Sequence, residues 1–124
     1  MVAAPPPSPT AVVRAWSAAL NRNDNAAAAE LFAPRARVIQ GTVDVRLTHP
    51  LALAFNESLP CAGRIVRLQV EGSTVVATFV LGQRPKHRCD GPGQKAAALF
   101  VVRNGKITLW EQVAVPAAKS GLPA

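Results

Sequence analysis

The stretch Ala96 to Ala114, AAALFVVRNGKITLWEQVA, decides the fold, because strand periodicity and turn chemistry agree along its whole length. Two apolar runs flank Arg103-Asn104-Gly105-Lys106, and Asn-Gly supplies the positive φ that a tight hairpin turn requires. It reads as the last hairpin of a sheet. Period-2 alternation places Ile107, Leu109, Glu111 and Val113 on one face of the second strand, and Thr108, Trp110, Gln112 and Ala114 on the other. Both faces carry bulk, so both are expected to be covered. A packed face with a lined cavity behind it and an ordinary two-sided core both satisfy this pattern.

Working back from that hairpin, Arg64 to Glu71 and Thr74 to Gln83 flank Gly72-Ser73 and pair in the same manner. A polar connection bearing Gly and Pro, Arg84 to Gln94, joins the two hairpins. Nearer the N-terminus, Val12, Val13, Trp16, Ala19 and Leu20 recur at helical spacing after Thr10, a candidate N-cap. Asn21 to Asn25 breaks that helix, and Ala26 to Phe32 resumes it up to Ala33, where Pro34 ends it. Ala36 to Gln40 follows as a short strand with Ala36, Val38 and Gln40 on one face. Gly41 to Thr48 reads as either a strand or the approach to a helix, and Thr48 or His49 before Pro50 signals a helix start. A third helix from Pro50 to Ser58 would turn Leu51, Ala54 and Phe55 inward. Helices gathered before a mostly antiparallel sheet imply an α+β layer fold.

At 124 residues the chain is long enough for one core. The domain is expected to run from residue 10 to 115, between a Pro-rich disordered arm at 1–9 and a flexible tail at 116–124. No apolar run approaches the ~18 residues needed to span a bilayer, so no membrane partner is expected. The net charge is +7, from 14 basic and 7 acidic residues. The basic residues are scattered and aromatics are few, which argues for a solvated surface over a nucleic-acid groove. Met1 to Thr10 lacks a basic n-region and an apolar h-region, which points to a cytoplasmic protein.

The order of elements and several local motifs resemble the nuclear-transport-factor-2-like superfamily, in its SnoaL-like and limonene-epoxide-hydrolase-like branch. The carrying residues are Val12-Val13-Arg14-Ala15-Trp16, Glu30-Leu31-Phe32-Ala33 leading into Ala36-Arg37-Val38, and Val101 to Ile107 followed by Trp110. The resemblance implies a cone, with a curved sheet wrapped against three helices around an apolar pocket. It also implies dimerisation through the outer sheet face. Where steroid-isomerase-like members carry a general-base aspartate this chain has Gln40, and where they carry a protonated aspartate it has Ala98. Epoxide-hydrolase-like members need an Arg and an Asp on the middle strand and an Asp after the last Trp. Here that strand reads Thr78-Phe79-Val80-Leu81-Gly82, and the last position is Gln112. A primary amide orients a ligand but does not take its proton.

Three functional readings follow. The first is a binding domain for a small apolar, cyclic molecule, with no cofactor or metal and a pocket lined by Trp16, Val38, Gln40, Phe55, Ala98, Phe100, Trp110 and Gln112. The second is a homodimeric interaction module that uses the face of Leu109, Glu111 and Val113. The third is an isomerase, lyase or hydrolase using Asp44 and His49 as an acid-base pair after the first strand. Cys61 and Cys89 are the only cysteines. The hairpin brings residue 61 near residue 84, so the sulfurs could meet in a disulfide contributing about 3 kcal/mol and pointing to an exported protein. Free thiols remain open, as does a poorly spaced metal site with His87.

Overall fold

The computed structural model describes residues 4–117. Helix α1 (Pro9–Asn21) starts one residue before the expected cap: Ser8 is the N-cap, its hydroxyl accepts the Ala11 N–H at 3.2 Å, and Pro9 stands in the first turn. There proline's missing donor leaves nothing unpaired. The helical spacing holds, since Val12, Val13, Trp16, Ala19 and Leu20 are all buried.

Helix α2 (Asn25–Glu30) is capped by Asp24, whose carboxylate accepts the Ala27 N–H at 3.0 Å. It stops before the Ala33 expected from Pro34, because Pro34 lies inside strand β1 (Phe32–Gln40). A register shift between Phe32 and Arg37, with Arg35 at φ 60°, accommodates the residue that cannot donate to the ladder. Residues 43–47 resolve as strand β2 (Val43–Leu47), and helix α3 (His49–Ser58) follows on a Thr48 cap.

The inward face of α3 differs from the expectation. Leu51 and Ala54 are exposed and Phe55 is half-buried, while Ala52 and Asn56 are fully buried. The helix rests on α2, whose buried residues are Ala28 and Ala29. Ala52 is one of the two buried residues of α3, and the other, Asn56, is drawn in because Trp16 Nε1 donates to its Oδ1 at 2.7 Å.

Strands β3 (Cys61–Glu71) and β4 (Thr74–Gln83) pair across Gly72 at φ 60°, and β5 (Lys95–Arg103) and β6 (Lys106–Val113) pair across Asn104 and Gly105, both at positive φ. The sheet order is β2-β1-β6-β5-β4-β3, with β1 and β6 parallel and every other neighbour antiparallel. This is the α+β fold expected, a six-stranded mixed sheet with three helices.

One detail of the final hairpin departs from strict alternation. Val101 faces Leu109 but Val102 faces Ile107, so Thr108 is an extra residue in β6. The bulge moves Ile107 onto the inner face with Phe100, Val102 and Trp110, away from Leu109 and Glu111. Ile107 is accordingly fully buried, and full burial of such a side chain contributes about 1.5–3 kcal/mol. Aromatic rings from both layers then meet edge-on, Trp16 with Phe100 at 5.3 Å and Phe55 with Trp110 at 5.0 Å.

Cys61 and Cys89 form a disulfide, with Cα atoms 4.6 Å apart, which removes the free-thiol and metal alternatives. Of the expected terminal segments, Pro6 and Pro7 lie against the Gly105 turn, and Ala117 O accepts a hydrogen bond from Arg67 at 3.4 Å. Residues 118–124 of the expected tail lie outside the described residues. Among the described residues no helix is long and apolar enough to cross a membrane.

Candidate functional site

A cavity of about 220 Å³ lies between α1, the turn from α3 into β3, and the inner face of β4, β5 and β6. Of the residues predicted to line it, Trp16, Gln40, Ala98, Trp110 and Gln112 do. Val38, Phe100 and Phe55 do not. Val38 and Phe100 are sealed inside the core, and Phe55 is wedged between Phe32 and Trp110. Sequence reasoning missed Phe79 and Leu81, although alternation along β4 puts both on the face of Val75 and Ala77. It also missed the segment Leu59 to Gly63 that forms one wall.

That wall depends on a glycine. A Cβ on Gly63 would stand 2.9 Å from Phe79 Cδ1, so only glycine lets β3 approach the ring. The end of α1 is fastened to the same residue. Asn21 Nδ2 donates to Gly63 O at 2.8 Å, Gly63 N–H donates to Asn21 Oδ1 at 2.9 Å, and Ser17 Oγ donates to Gly63 O at 3.2 Å.

Below the wall, Arg84 is buried and holds three elements together. Its Nη1 donates to the carbonyls of Asn56 at 2.7 Å and Leu59 at 2.6 Å, and Nη2 donates to Asn25 Oδ1. These carbonyls lie at the C-terminal end of α3, where a cation is favoured. Burial lowers the Arg84 pKa and Glu57 opposes the shift, yet a guanidinium stays charged. His87 ties the following loop to the same helix end. Its ring nitrogens lie 2.8 Å from the carbonyl oxygens of Pro85 and Glu57.

Asp44 and His49 are not brought together, which corrects their reading as an acid-base pair at the pocket mouth. Val43, Val45 and Leu47 share the inner face with Gln40 and Val38, so alternation turns Asp44 to the outer face. There Arg37 grips it in two hydrogen bonds, at 2.9 and 2.7 Å. Those bonds hold the Asp44 carboxyl below the usual aspartate range. Glu111 lies on the same outer face and adds a weaker attraction to Arg37. His49 stands exposed at the start of α3, its Nε2 3.6 Å from Glu30 Oε1.

Among the described residues, none that lines the cavity carries a side chain that ionises, since Cys61 is oxidised. The arrangement is an apolar wall of Trp16, Leu20, Phe79, Leu81 and Trp110 with the amides of Gln40 and Gln112 beside it. It can enclose and orient a neutral molecule.

Residues 13–110 match the SnoaL-like domain family. No curated protein matches the chain in sequence. Among solved structures, an NTF2-like protein of unknown function from Cytophaga hutchinsonii superposes with a TM-score of 0.71 at 15% identity, covering 91% of this chain and 93% of that one. A candidate polyketide cyclase from Sinorhizobium meliloti gives 0.67 at 19% identity, covering 83% and 94%. A protein of ketosteroid isomerase-like fold from Catenulispora acidiphila, in complex with trimethylamine, gives 0.68 at 21% identity, covering 90% and 93%. These likenesses carry the fold alone, whereas the family match spans most of the sequence: the chain belongs to the SnoaL-like domain family, with an NTF2-like fold.

Proposed function

We propose that the protein is a binding domain for a small, uncharged, largely apolar cyclic molecule, without the acids that catalytic relatives use. The observation that carries this reading is the lining itself: aromatic and aliphatic walls, two amides, the Ser17 hydroxyl and, among the described residues, no ionisable side chain. A charge entering such a site would be stripped of water without a counter-charge, while a neutral ring gains by burial. The cavity exceeds the ~150 Å³ that admits benzene in an engineered case, which sets the scale at one or two rings. Titration calorimetry against neutral monocyclic and bicyclic terpenoids and their charged analogues tests it. Neutral compounds should bind and raise the melting temperature, and charged analogues of equal size should not. Absence of binding by every neutral compound at millimolar concentration would overturn the reading.

The outer sheet face supports a second, compatible part of the proposal, a homodimer. Leu99, Val101, Leu109 and Val113 form a half-buried aliphatic row there, opposite the helices. Light scattering at high micromolar concentration should give twice the chain mass, and a monomer at that concentration would refute it. The disulfide supports an oxidising compartment as the place of work, in place of the cytoplasm.

A further inference from the structure

Strand β2 reads Val43-Asp44-Val45-Arg46-Leu47, a strict alternation that sends Asp44 and Arg46 to the outer face and three aliphatic side chains to the inner one. This is the pattern of a strand covered along its whole inner face. The fold covers only one end of it. Leu47 is 4% exposed, whereas Val45 is 42% and Val43 50% exposed. A single exposed valine is ordinary on a protein surface, but these two adjoin on the side of the sheet that elsewhere packs against the helices.

The strip begins where the cavity opens. Gln40 and Gln112 both line the cavity, Gln40 half-buried and Gln112 exposed, so the enclosure meets solvent beside them. Val43 pairs with Gln40 across the β1–β2 hairpin and Val45 pairs with Val38, which sets the side chains of each pair about 5 Å apart on one face. From the mouth, an apolar surface therefore continues for about 7 Å along β2. Two valines fall far short of the ~800 Å² per partner that a stable protein interface buries, so a second copy is the weaker fit. What suits them is the part of a ligand that the cavity leaves outside.

We propose that Val43 and Val45 form an accessory subsite for a flexible aliphatic chain borne by the neutral cyclic ligand, the rings lying in the cavity and the chain passing Gln40 onto β2. This rests on the binding-domain reading and narrows its ligand class: a ring system with an alkyl tail is preferred over the same rings without one.

1-Tetralones carrying a methyl, propyl or pentyl chain at C6 provide the test, because two fused rings fill the cavity and leave the longer chains outside it. A fully buried methylene is worth about fourfold in affinity, and one lying on an open strip about twofold. The four methylenes added from methyl to pentyl should therefore tighten the calorimetric Kd of the full chain by about 10–20-fold. Val43→Ser/Val45→Ser should reduce that gain to about threefold or less, with the methyl compound as the reference within each protein. A readout on the unmutated protein is independent of any folding defect in the variant: nuclear Overhauser contacts from the end of the pentyl chain should reach the methyl groups of Val43 and Val45. No gain from methyl to pentyl, a gain that survives in the double variant, or contacts of the chain confined to Phe79 and Leu81 would each overturn the subsite and leave the binding domain standing. So would a fall from dimer to monomer mass in light scattering of the double variant, which would assign the strip to a second copy. Failure of all three tetralones to bind would remove both.

Discussion

Reduction of Cys61–Cys89 should lower stability through the unfolded chain more than through the folded one. The bonded residues are 28 apart in sequence, and the loop-entropy relation then gives about 3.6 kcal/mol at 25 °C. Unfolding entropy near 2.1 cal/mol/K per residue over 124 residues is roughly 0.26 kcal/mol/K, so the melting temperature should fall by about 14 °C. In the native state the loop after β4 stays attached to α3 by Arg84 and His87, so losing the bond should leave the fold intact. The assay is calorimetry of oxidised protein, of protein in excess reductant, and of Cys61→Ala/Cys89→Ala. Alanine is preferred because Cys89 is buried and serine would bury a hydroxyl. Urea titration should also show a larger m-value without the bond, since the unfolded chain expands. A fall of less than ~4 °C with an unchanged m-value would refute the reasoning, provided mass spectrometry shows the oxidised sample to be bonded.

Gly63→Ala places a methyl 2.9 Å from the Phe79 ring and should destabilise by about 1–3 kcal/mol while narrowing the cavity; urea denaturation and ligand titration check the two effects separately. Arg84→Met leaves the carbonyls of Asn56 and Leu59 and the amide of Asn25 without their donor, an expected loss of about 2–4 kcal/mol in urea denaturation, of which Arg84→Lys should recover only part. Because Arg37 depresses the Asp44 pKa, the pair's contribution is present above the unfolded aspartate value near ~3.9 and lost as pH falls through the lower folded value. In Arg37→Ala the Asp44 carboxyl should titrate higher by NMR, and an unchanged titration would show that the two hydrogen bonds do not form in solution.

The fold was legible where one local rule governed. Helical spacing identified the buried face of α1, and Asn104-Gly105 fixed the closing hairpin, because both depend on neighbours within a few residues. The departures arise where a distant partner decides. Thr108 looks like any strand residue until Val102 pairs with Ile107, and that single bulge moves Ile107 across the sheet. Pro34 reads as a helix stop, but the bulge of β1 admits it. The inward face of α3 is set by α2 and Trp16, which favour Ala52 and Asn56 over the more apolar Leu51. The cavity was half legible for the same reason. Alternation found Gln40, Ala98, Trp110 and Gln112, whereas Val38 and Phe100 share that face and are sealed in the core by their neighbours. Arg84 carried no signal at all, since a basic residue in a polar connection usually marks solvent.

The attachment of Asn21 to Gly63 also bears on how the protein avoids its own copies. β3 is an edge of the sheet, and an edge offers free N–H and C=O groups to any extended segment that drifts alongside. At Gly63, a residue without a side chain to ward off such a visitor, both groups are already engaged by one amide that imitates the backbone of another strand. Further along, the bulge between Ile65 and Arg67 and the charges of Arg64 and Arg67 spoil the flat pairing that a fibril would need. The same contact that shapes the wall of the cavity thus blunts a route to aggregation, and the edge is guarded where it is barest.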